Sequence, residues 1–117
     1  MTRQPRRGEI WLIDWSPSRG SEQAGVRPAL VIQTDAANGN PVYPNTIVLA
    51  VSTKGKHVPF HVPVAPTRLN GLTAPSFVKC EQVLTVAKER LTRRLGSMDD
   101  ESLQKIDRAL RLVLELS

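Results

Sequence analysis

The 117-residue chain lacks much of what common activities require. Its single cysteine, Cys80, excludes an intrachain disulfide, and with only His57 and His61 beside it no Cys/His zinc spacing can be completed. Carboxylates are scattered except for Asp99-Asp100-Glu101, which suits a helix start better than a metal cluster. Aromatic residues make up 4% of the chain, so the interior must come from Val, Leu, Ile and Ala, and a self-complementary oligomer would help to bury it. No uninterrupted apolar run approaches the ~20 residues that span a bilayer. The basic start "MTRQPRR" is not followed by the apolar stretch of a secretory signal. These absences predict a soluble protein of the reducing cytoplasm, and the length predicts a single domain over residues 1–117.

What the chain does have is positive charge. The formal balance is +5, and it is uneven: residues 1–98 carry 13 Lys and Arg against 6 Asp and Glu, whereas residues 99–117 carry 3 against 5. A basic body of this kind attracts nucleic acid, an anionic surface or an acidic protein; it also serves solubility alone.

The apolar pattern predicts about five strands and one helix. Residues 9–15, "EIWLIDW", read as a first strand, and Pro28 to Gln33 as a short buried one with Pro28 in its first position. "TDAANGNPVYPN" reads as a break, Thr46 to Ser52 as a third strand, and Phe60 to Val64 as an edge strand because Pro59 and Pro63 each remove a donor. Phe77 to Val86 reads as a strand with a bulge around Glu81-Gln82. Leu103, Ile106, Leu110 and Val113 recur at helical spacing, joined by Ala109, Leu112, Leu114 and Leu116. Asp99 suits the N-cap, with Met98 and Leu103 as a hydrophobic staple. Short strands followed by one helix predict a small half-open barrel with the helix closing one side.

Three groups carry candidate chemistry. The first is the loop "GSEQAGVRP", dense in polar groups and ending in Arg27-Pro28. The forked, permanently charged guanidinium of Arg27 suits charge building on a phosphate, although pinning a loop is an equal use for it. The second is Ser52-Thr53 at a strand end, ahead of Lys54 and Lys56. Their hydroxyls can bond a phosphate or a ribose 2′-OH, or simply cap the strand. The third is the pair His57 and His61, but Pro59 between them interrupts the extended geometry that would put both on one face. Spacing alone does not make them an acid–base pair.

Taken in order, "RRGEIWLIDWSP", "GSEQAGVRP", the strand ending at Ser52-Thr53, "VKCEQVLTVAKERL" and the final helix resemble the MazF/PemK/Kid toxins of bacterial toxin–antitoxin systems. The resemblance runs through almost the whole chain. It implies a mainly β fold with α: a small SH3-like half-open barrel of the plasmid-maintenance toxin type with a C-terminal helix. It also implies a homodimer and a metal-independent, cofactor-free, sequence-specific endoribonuclease that cuts single-stranded mRNA by 2′-OH attack. The partner it implies is a cognate antitoxin lying over the RNA groove. Arg27 then falls on the family's catalytic arginine and Ser52 on its catalytic threonine, a departure that keeps the hydroxyl and loses the methyl, with Thr53 as the neighbouring substitute. Gly20, Ser21, Glu22 and Gln23 would line the RNA groove, with Gly20 and Gly25 lending the loop mobility, and Lys54 and Lys56 would also bind RNA. The same barrel also serves toxins that bind DNA gyrase without cutting RNA, which leaves a non-catalytic binder as the alternative.

Overall fold

The computed structural model describes residues 4–15 and 25–117. Its elements are β1 (Glu9–Asp14), β2 (Val26–Val31), α1 (Asp35–Asn38), β3 (Asn45–Ser52), β4 (His61–Val64), β5 (Ser76–Ala87), a 3₁₀ turn (Lys88–Arg90), β6 (Leu91–Ser97) and α2 (Asp100–Leu114). All strand pairs are antiparallel, in the order β4-β5-β3-β2-β1-β6. The sheet does not close, as a half-open barrel requires.

Strand alternation sorts side chains onto two buried faces. Ile10, Leu30, Leu49, Val62, Val64, Val78 and Cys80 meet Ile106, Ala109 and Leu110 of α2 on one side. Trp11, Ile13, Ala29, Val31, Val48, Val86 and Leu91 form a second cluster. Each fully buried Leu or Ile in these clusters contributes about 1.5–3 kcal/mol. Burial on both faces is why the inner strands read as near-continuous apolar runs.

Helix α2 starts where expected: the backbone N–H of Ser102 donates to Asp99 Oδ2 at 3.0 Å, closing the N-cap. Its apolar set divides, however. Ile106, Ala109 and Leu110 face the sheet, whereas Leu112 and Leu114 are 59% and 49% exposed, and Leu116, expected on the helix, lies past its C-cap Glu115 and is 58% exposed.

Three further expectations change. Six strands are present among the described residues, because Leu91–Ser97 pairs with β1. The stretch expected to be wholly a break contains α1. Pro28 is the third residue of its strand rather than the first; the ladder to β3 begins only at Ala29, so the missing N–H of Pro28 removes no bond there. The expected bulge is present: Ala50 pairs with Lys79 and the adjacent Leu49 with Val83, leaving Cys80, Glu81 and Gln82 looped out of the ladder.

Candidate active site

The site is built by register. On β2 and β3 the pairs are Ala29↔Ala50, Leu30↔Leu49 and Val31↔Val48. Carried two residues beyond its last pair, Ala29↔Ala50, this register would set Arg27 opposite Ser52, although the ladder itself does not reach them. The two-residue period puts Arg27 in line with Ala29 and Val31, and Ser52 in line with Ala50 and Val48. These rows leave the second apolar cluster, through buried Ala29 and Ala50, and end at exposed Arg27 and half-buried Ser52. Two residues that stand 25 positions apart in the chain thus lie at the same end of two adjacent strands. Thr53 lies one residue past the end of β3 and leaves that row.

The next strand extends the same surface. Ser52 pairs with Phe77, and Ala50 with Lys79, on β5; Lys79 in turn faces His61 on β4. Beyond Ser52 the chain turns back: the Lys54 N–H donates to Ser52 Oγ at 3.1 Å. Gly55 then passes so close to Phe77 that a Cβ there would overlap the ring. Exposed Lys54 and Lys56 are carried on this turn.

The two histidines part company. His57 is exposed, while His61 is 8% exposed. Both rings approach Phe77, with centroids 6.4 Å and 6.5 Å from it. The partner of His61 is Glu81, whose Oε2 lies 2.5 Å from Nε2, and its Nδ1 accepts the Lys56 backbone N–H at 3.0 Å. Sequence reading did not connect His61 with Glu81; the bulge expected around Glu81-Gln82 was the available sign that this carboxylate leaves the regular ladder.

Gly20, Ser21, Glu22 and Gln23 lie outside the described residues. The base of their loop is described: the Trp15 N–H donates to Gly25 O at 2.9 Å, and Gly25 holds φ 71°. That left-handed backbone at the strand entry calls for glycine. Arg7 of the basic arm is engaged within the fold, its guanidinium bonding Ile32 O at 3.0 Å and Asp107 at 2.8 Å. Cys80 is no nucleophile: burial, with Glu81 adding to it, pushes its thiol up to about 12.

Comparisons with known proteins show the family and the fold. Residues 6–114 match the family of PemK-like, MazF-like toxins of type II toxin–antitoxin systems. The chain is 42% identical over 114 residues to the Endoribonuclease EndoA of Bacillus subtilis, covering 95% of each chain. MazF from Deinococcus radiodurans has the same fold, with a TM-score of 0.78 at 26% identity over 97% of this chain and 98% of that one. The MazE-MazF structure from the same organism matches with a TM-score of 0.78 at 27% identity, over 98% of this chain and 99% of that one. With a family match across nearly its full length and an open six-stranded sheet closed by a C-terminal helix, this chain belongs to the PemK-like, MazF-like toxins of type II toxin–antitoxin systems.

Proposed function

We propose that Arg27 and Ser52 carry the endoribonuclease activity of this toxin, acting on single-stranded mRNA without a metal. The observation that supports it best is the antiparallel pairing of β2 and β3, which puts the start of the strand carrying the Arg27 guanidinium and the end of the strand carrying the Ser52 hydroxyl at one end of the sheet. A ribose 2′-OH attacks the adjacent phosphorus; the new O2′–P bond forms as the P–O5′ bond breaks. The products are a 2′,3′-cyclic phosphate and a 5′-OH, the proton lost from the 2′-OH being balanced by one delivered to the leaving oxygen. Arg27 stabilises charge on the phosphoryl oxygens, and the Ser52 hydroxyl orients the phosphate. Lys54 and Lys56 hold neighbouring phosphates, and Gly20, Ser21, Glu22 and Gln23 contribute further RNA contacts. The nucleophile itself makes the substrate RNA and not DNA.

The same surface is the natural seat of a cognate antitoxin, since an acidic segment would cover the cations that RNA needs. The active species is a homodimer, supported by the exposed Leu112 and Leu114, which a partner subunit would cover. Light scattering of the purified protein tests this assembly, with a monomer at micromolar concentration speaking against it.

The deciding experiment incubates the protein in EDTA with mixed-sequence RNA, beside oligonucleotides carrying one 2′-deoxyribose at the mapped cut site. Cleavage that survives EDTA and stops at the deoxy substitution supports this mechanism. Intact RNA after long incubation at high enzyme returns the chain to a binding role.

A further inference from the structure

Ser52 is an awkward residue for an orienting role. Lacking the β-methyl of threonine, its χ1 is less restricted, so the hydroxyl is held less firmly in one rotamer. The structure supplies the restraint from outside. The turn after β3 has two supports: the Phe77 ring beneath Gly55, and the imidazole of His61, which accepts the Lys56 N–H at Nδ1. A nitrogen that accepts a hydrogen bond carries no proton, so the proton of the neutral ring sits on Nε2 and is donated to Glu81. Phe60 and Phe77 pack on the same imidazole, with ring centroids 5.7 Å and 6.5 Å away. Glu81 reaches it because the bulge takes residues 80–82 out of the β3–β5 ladder. A turn held at Lys56 is also held at Lys54, whose N–H bonds Ser52 Oγ.

We propose that His61, fixed as the Nε2-protonated tautomer between Glu81 and the Lys56 N–H, is a positioning residue that aims the Ser52 hydroxyl through the Lys54–Lys56 turn. The proposal rests on the reading of Ser52 given above. His61 touches no reacting atom; it acts as an outer support holding a catalytic group in place. It therefore does from outside what a β-methyl would do from within. The corollary is specific: the S52T variant needs the clamp less.

The test combines spectroscopy and a double-mutant cycle on the full chain. Imidazole ¹⁵N shifts should show Nδ1 unprotonated, and the Lys56 amide should exchange slowly with solvent. H61Q keeps a donor toward Glu81 and removes the acceptor beside Lys56, and should lower kcat by ~30-fold with KM changed far less, as expected for a small displacement of an aligned group. H61N, whose carbonyl oxygen can stand near Nδ1, should recover about a third or more of that loss on the logarithmic scale. In the S52T background H61Q should cost no more than ~5-fold, a coupling that a merely structural histidine would not produce. E81A, which removes only the outer anchor, should speed exchange of the Lys56 amide and serves if H61Q does not fold. Equal kcat losses from H61Q in the parent and S52T backgrounds, or a proton on Nδ1, would overturn the proposal. R27A measured alongside separates the two readings. If it cleaves at the parent rate, the site assignment fails; if it is crippled while the H61Q effect is background-independent, only the clamp fails.

Discussion

Two lysines show how this sheet divides its cations. Lys88, in the turn between β5 and β6, is 1% exposed, and its Nζ donates to the carbonyls of Ala37, Asn38 and Asn40 at 3.2, 2.9 and 3.2 Å. It ends α1 and fastens it beside β3, where Asn38 Oδ1 also accepts from Thr46 Oγ1 at 2.8 Å. Lys56 is exposed, and the hydrogen bond that matters around it runs from its backbone to His61. In the first region every donor of the amine ends on the protein's own carbonyls, which suits a part that should not move. In the second the backbone is tied while the charge stays in solvent, which suits a part that must meet an anion. A charge count cannot tell these uses apart.

Substitutions at the two ends should separate the roles. The largest effect on stability is expected from K88M, which removes three charge-assisted hydrogen bonds; Ala37 O and Asn40 O keep the backbone N–H groups of Asn40 and Tyr43, while the Asn38 carbonyl loses its buried partner, and the cost should be about 3 kcal/mol or more. Denaturant melts would measure it, while cleavage per folded molecule stays near the parent value. The reverse holds for R27A: kcat should fall ~10²-fold or more for loss of an oxyanion-type donor, with little change in melting temperature. S52A should follow R27A, whereas T53V should not, because Thr53 leaves the row that Arg27 and Ser52 share; parallel single-turnover assays would decide. G55A sharpens the comparison from the site's side. Its new methyl overlaps Phe77 and must push the turn outward, so cleavage should drop ~10-fold for a stability cost of about 1 kcal/mol.

The smallest expected effect is at the helix start, remote from either lysine. Hydrogen bonds from Ser102, its side chain first and then its backbone N–H, hold the Asp99 carboxyl below the ordinary carboxylate range. A pKa depressed in the folded state means that this stabilisation is fully present above the unfolded value and is lost as pH falls through the folded one. D99A should therefore cost about 1 kcal/mol at neutral pH. Its deficit relative to the parent should shrink on acidification below the usual aspartate range, as melts across acidic buffers would show.

Much of this was legible before any coordinates. Helix α2 was readable down to its cap because helical periodicity and capping are local: Asp99, Ser102 and the Leu103–Leu110 stripe lie within about three turns of one another. The inner strands were readable because branched residues in short apolar runs suit a sheet buried on both faces. The missed strand β6 had no such pattern. "LTRRLGS" lies on the sheet's rim, three successive residues from Thr92 to Arg94 are exposed, and its pairing with β1 shifts register twice. Its strand character comes from β1's hydrogen bonds, which belong to a segment about 80 residues earlier.

The sequence by itself determined the chemistry available: a basic body, one guanidinium at a strand entry, hydroxyls at a strand end, and no set of Cys and His ligands for zinc. Tertiary structure decided which of these groups meet. It put Arg27 and Ser52 at the same end of the paired strands β2 and β3, and sent His61 to Glu81 through a bulge. It also buried Lys88 among carbonyls while leaving Lys54 and Lys56 in solvent. The reason is that composition and periodicity report on neighbours along the chain, whereas register and bulges are settled by how whole strands bury their apolar rows against one another.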